Sequence, residues 1–143
     1  MLATDYKQER PHLPSINIKV IPHSEQRYET VGDYWDDENG VKQIRVSEST
    51  PHYEFLVAIH ELIEAYLVAS KGIKIEDIDT FDKEFEKMRS EYPKFIGDME
   101  PGDNDSAPYF HEHQMATRVE KWMAQNLGID WEVYNKAINE LSK

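Results

Sequence analysis

Hydrophobic positions change period partway along the chain. Between Ser15 and Ser47 they follow a strand pattern: Ile16, Ile18 and Val20 alternate with polar residues, Tyr28 to Trp35 is rich in β-branched and aromatic types, and Val41, Ile44 and Val46 close the run. Glu38-Asn39-Gly40 interrupts it as a hairpin signal. Two or three antiparallel strands are expected, with the hairpin centred on Asn39-Gly40. From Ser49 the spacing becomes helical. Ser49 or Thr50 caps a first helix with Pro51 in its first turn, and Lys71-Gly72 closes it. A second helix is predicted from about Glu76 to Ser90 through Ile78, Phe81, Phe85 and Met88, stopped by Pro93. A third runs from near Ala107 to Leu127 and ends at Gly128, and Asp130 caps a short fourth that reaches the C-terminus. The predicted fold class is therefore α+β: a small N-terminal antiparallel sheet or hairpin followed by about four helices.

Length fits one domain over residues 1–143. It divides into an N-terminal arm (1–14), a β-region (15–48) and a helical region (49–143) that contains an acidic loop (93–108). Asp98, Glu100, Asp103 and Asp105 in that loop face only Lys94 as a counter-charge, and its prolines and glycines mark it as a long ordered loop or a lid.

Charge and composition narrow the chemistry. Sixteen Lys+Arg against 28 Asp+Glu give a formal net charge of −12, which argues against a nucleic-acid phosphate binder. With no cysteine, disulfide frameworks, thiolate nucleophiles and Fe–S ligation are excluded. No apolar run approaches the roughly 20 residues of a membrane span, and the first ten residues lack a signal-peptide core, so a cytoplasmic protein without membrane contact is expected. Phosphate-loop, dinucleotide and serine-elbow motifs are also missing.

The informative segment is the first helix. Phe55 to Ala69 is apolar except for His60, Glu61 and Glu64, and ionisable groups inside such a helix are costly unless paired or bound to metal. At about 100° per residue the three project from one flank, with Phe55, Ile59, Leu62 and Tyr66 opposite. His60 and Glu64 at i and i+4 can reach one ion, while Glu61 holds the general-base position of His-Glu-x-x-His hydrolases. Composition alone yields only about 0.08 such His-Glu-x-x-Glu matches in a chain of this length.

A third ligand is expected from the third helix. His12, His23 and His52 read as surface residues. His113 and Glu120, seven apart, stack on one side, whereas His111 points about 160° away from His113. The order of preference is His113, then Glu112, then His111, with Glu120 orienting an imidazole from behind. Trp122, Trp131 and Tyr134 read as core.

His60-Glu61-Leu62-Ile63-Glu64, with β-structure before it and helices after, resembles the zincin-like metallopeptidase core in a short variant with Glu64 in place of the second histidine. More broadly, the helix His60 to Ala65, the Glu100-Pro-Gly-Asp103 loop and Ala107-Pro-Tyr109 leading to Glu112-His113 resemble small proteins of phages and prophages. The zincin likeness implies His60 and Glu64 as ligands of Zn²⁺ or another divalent metal and Glu61 as base. The phage likeness implies no activity of its own. Three readings follow. One is a zinc hydrolase using His60, Glu64, His113 and Glu61, acting on a peptide or protein. Another is a Mg²⁺-dependent nucleotide pyrophosphohydrolase built on Glu61-x-x-Glu64 and Glu76-x-x-Asp79. The last is a non-enzymatic phage protein that binds a host partner.

Overall fold

The computed structural model describes residues 15–142; the arm at 1–14, with His12, lies outside the described residues. Strands β1 (Ile16–Ile21), β2 (Gly32–Asp36) and β3 (Lys42–Ser47) form one sheet in the order β1-β3-β2. Helices α1 (Pro51–Ser70), α2 (Ile75–Glu91), α3 (Pro93–Ile96), α4 (Phe110–Asn126) and α5 (Trp131–Leu141) follow. The class is α+β, as the periodicity predicts.

The β2–β3 hairpin is antiparallel, with Tyr34 opposite Ile44. Its turn is built by Asp37, whose Oδ1 accepts from the backbone N–H groups of Asn39 and Val41 at 2.8 and 2.9 Å, while Gly40 takes the positive φ of 77° that its neighbours would resist. β1 departs from the antiparallel expectation: it adds to the other edge of β3 in parallel, Ile18 beside Ile44 and Val20 beside Val46. The cause is topological. The chain leaves β1 through a 3-10 turn at His23–Glu25 and an irregular stretch, so the Tyr28-to-Trp35 run becomes strand only from Gly32.

α1 lies over β2 and β3 and packs along α4. Leu56, Val57, Ala65 and Val68 join Ile44, Val46 and Tyr34 in the core, closed by Ala124, Tyr134 and Ile138 from the last two helices. Burying a Leu or Val side chain contributes roughly 1.5–3 kcal/mol, so these contacts fix the crossing of α1 on the sheet. Helix α4 comes close because its inner face carries Ala116 and Ala124, both fully buried. Trp122, expected in the core, instead points outward, as does Met115. Tyr134 is core and Trp131 packs against it.

Two further departures concern the acidic loop and the last helix. The loop contains α3 and a 3-10 turn at Pro101–Asp103, which raises the helix count from four to five. Asp130 caps α5 as expected, its side chain accepting from Val133 N at 3.0 Å.

Candidate metal centre

Helix α1 buries its three ionisable groups together with Leu56, Val57, Ala65 and Val68, and leaves two aromatics outside. His60, Glu61 and Glu64 are buried at 7, 9 and 3% exposure, while Phe55 and Tyr66 on the opposite flank stand 44 and 57% exposed. An apolar helix would gain by turning its aromatics inward, so the polar flank is held inside by what it meets there.

It meets α4. His60 Nε2 lies 3.1 Å from His113 Nδ1, Glu64 Oε1 lies 3.3 Å from the same His113 nitrogen, and Glu64 Oε2 lies 3.6 Å from His60 Nε2. Donor atoms of these three side chains all fall within 4.8 Å of one another. Two ligands held 2.0–2.1 Å from one ion in a tetrahedron stand about 3.3 Å apart, so the spacing is that of a site able to hold a metal ion.

Outer contacts set the rings. Glu120 Oε1 takes the Nδ1 proton of His60 at 2.7 Å, and Tyr134 donates its hydroxyl to Glu120 Oε2 at 2.5 Å. That leaves Nε2 of His60 turned toward Glu64 and His113. On its far edge, His113 Nε2 stands 3.1 Å from Glu100 Oε2 and 3.2 Å from Asp103 Oδ1. Gly102 packs against the His113 ring so closely that a Cβ there would fall 2.8 Å from Cδ2.

Charge follows this geometry. Burial would raise the Glu64 carboxyl, but hydrogen bonds from His113 and His60 hold it down at about 2. His60 is desolvated, which favours its neutral form, yet Glu120 and Glu64 raise it well above the ordinary imidazole range. His113 is raised in the same way, against burial, by Asp103, Glu100 and Glu64. Glu61 differs: burial and then the negative charge of Glu64 push it well above the carboxylate range.

Glu61 has no hydrogen bond or ion pair among the described residues. It lies against Gly32 of β2, where a Cβ would come within 2.7 Å of its Cδ, so only glycine leaves it room. It lines a cavity of about 180 Å³ together with Tyr34, Asp82, Tyr109, Glu100 and Gly102. The Tyr34 hydroxyl there is buried without a hydrogen-bond partner. Asp82, by contrast, takes the hydroxyls of Tyr28 and Tyr109 at 3.0 and 2.5 Å, and burial raises it to about 7.

The structure thus brings together His60, Glu61, Glu64, His113 and Glu120. It does not bring in Glu112, which pairs with Lys71 at 2.6 Å across the end of α1, nor His111, which is exposed beside Phe110. His52 is exposed, and His23 is partly buried between Ser47 and Glu29. Glu76 is exposed and Asp79 is held by Arg27 at 3.0 Å, so neither joins the carboxylates of α1. Sequence reasoning missed the contact of Glu100 and Asp103 with His113, the room made by Gly32, and Tyr34. The Glu100-Pro-Gly-Asp103 run was the one available signal; nothing local marks Gly32 or Tyr34.

Comparison with known protein families, curated proteins and solved structures finds no match to this chain.

Proposed function

We propose that this chain is a zincin-like, zinc-binding protein of phage type acting as a metallohydrolase on peptide or amide bonds. His60, Glu64 and His113 are its metal ligands and Glu61 is its general base. The observation that carries the reading is the buried set of three donors 3.1 to 3.6 Å apart on two helices. Two imidazoles and a carboxylate are a hydrolytic zinc set that leaves one position for water or substrate. A divalent cation there supplies Lewis acidity, polarising a carbonyl and acidifying water.

The chain's own residues supply the rest. Glu120, steadied by Tyr134, fixes which nitrogen of His60 faces the site. Glu61 makes no hydrogen bond and is buried one residue from a ligand; burial and the charge of Glu64 hold it protonated in the metal-free protein, and a dication on the three ligands would offset that charge, leaving its carboxylate to accept the proton of an attacking water and return it to a leaving amine. The Tyr34 hydroxyl, unpartnered on the same cavity, offers a donor to a developing oxyanion. Among the described residues no helix is long and apolar enough to cross a membrane.

The test is Glu61→Gln in the full chain. Metal content should equal that of the parent, while hydrolysis of peptide or amide substrates falls by about 10²–10⁴-fold, the usual contribution of a general base. Loss of metal in this variant would make Glu61 a ligand and overturn the assignment of roles. A parent that takes up no zinc, beside a His60→Ala control, would remove the reading altogether.

A further inference from the structure

His113 has two edges, and the proposed zinc uses only one. Its Nδ1 faces His60 and Glu64; its Nε2 points the other way, into the turn that carries Glu100 and Asp103. Although His113 is 95% buried, its Nε2 has no hydrogen-bond partner: the two carboxylate oxygens stand 3.1 and 3.2 Å away, yet neither is aligned to accept from it. A buried imidazole nitrogen that makes no hydrogen bond needs an explanation, and the two carboxylates beside it are donors that a cation would share with it.

We propose that Glu100, Asp103 and His113 Nε2 form a second divalent-cation site, so that the His113 ring bridges two ions. The proposal rests on the reading of His113 Nδ1 as a ligand of the first. The donor atoms of this second group also fall within 4.8 Å of one another. The turn is built to hold them there. Gly102 lays its backbone on the ring face, Gln114 Nε2 donates to Asp103 Oδ1 at 3.1 Å, and Arg89 of α2 donates to the carbonyl oxygens of Gly97 and Met99 just before the turn. Imidazole and carboxylate together suit zinc or manganese.

Binding at both edges releases the last N–H proton of the ring to solvent, because each nitrogen then gives its lone pair to a cation. The charges close: Glu64, Glu100, Asp103 and the imidazolate supply four negative charges against two dications. The second ion would also tie the acidic loop to α4 and so form one wall of the cavity that Glu61 lines.

Equilibrium dialysis of the metal-stripped full chain against Zn²⁺ to saturation reads the stoichiometry. Two equivalents are expected in the parent, one in Glu100→Gln/Asp103→Asn, one in His60→Ala, and a loss at both sites in His113→Ala. The loop substitutions are conservative and sit on side chains 42 and 43% exposed, so the fold should persist; the far-ultraviolet circular dichroism of each variant checks this. One equivalent in the parent that survives the loop substitutions but not His60→Ala overturns the second site and leaves the first. One equivalent that survives His60→Ala but not the loop substitutions does the reverse. A single equivalent lost in both cases means one ion shared by all these residues, which also overturns the two-site proposal.

Discussion

Two buried polar networks line the same cavity, and they are built on opposite principles. On the side of β2 and α2, Arg27 forks onto Asp33 at 2.7 and 2.9 Å and reaches Asp79 at 3.0 Å, while Asp82 receives Tyr28 and Tyr109. Each group there is answered by protein. At α1 and α4, His60, Glu64 and His113 crowd together, but Glu61 and His113 Nε2 there, and the Tyr34 hydroxyl that β2 adds to the same cavity, are left without hydrogen bonds. Buried polarity alone therefore does not mark a site, since the first network is polar and serves the fold. What distinguishes the second is that three of its polar groups are left over, whereas elsewhere among the described residues Gln26 Oε1 is the one buried side-chain atom without a hydrogen bond.

The largest expected effect lies in the second network. Glu64→Ala leaves two buried imidazoles without their shared counter-charge and should cost the metal-free protein about 3–5 kcal/mol in urea unfolding, besides abolishing zinc uptake. A cost near zero would mean that the cluster does not hold the helices together.

Asp82 comes next and tests the network that is complete. Its folded pKa of about 7 lies above the ordinary aspartate value of 3.8, so between those values the folded state binds more protons than the unfolded one. Stability from this group is full below about pH 4 and is lost as pH rises toward 7. A shift of this size corresponds to roughly 4 kcal/mol. In Asp82→Asn that decline should vanish from a pH series of denaturation midpoints. Glu64 runs the other way: its folded value of about 2 is below 4.5, so its contribution is present above pH 4.5 and lost as pH falls toward 2.

Zinc should sharpen the contrast further. At a free concentration 100 times its dissociation constant it stabilises by about 2.7 kcal/mol, reversibly with chelator, in the parent but not in Glu64→Ala. Thermal unfolding with and without chelator reads this directly.

The smallest effects separate the two networks residue by residue. Tyr109→Phe removes a hydrogen bond to a buried carboxyl and should cost about 1.5 kcal/mol. Tyr34→Phe removes a buried hydroxyl that bonds to nothing and should leave stability unchanged or raise it by about 1 kcal/mol. Equal costs would erase the distinction between them.

Much of this architecture was legible in the sequence because it is local. The hairpin at Asn39-Gly40, the cap at Asp130, the helix over 51–70 and the placing of His60, Glu61 and Glu64 on one flank follow from spacing and turn chemistry within a few residues. Glu120 behind an imidazole was also foreseen, since it stacks with His113 on α4, although the ring it orients is that of His60.

What the tertiary structure decided are the choices that local spacing leaves open. Hydrophobicity alone would send Phe55 and Tyr66 inward, yet α1 turns its polar flank in, because Ala116 and Ala124 bring α4 near enough for its histidine and glutamate to answer that flank. His113 rather than Glu112 or His111 faces Glu64 because the rotation of α4 is set by its core contacts, and Lys71 then takes Glu112. The parallel seat of β1, the room at Gly32 and the turn at Gly102 against the His113 ring likewise join residues far apart in the chain. Periodicity assigns a side chain to a face; only packing says which face is inside and what waits there.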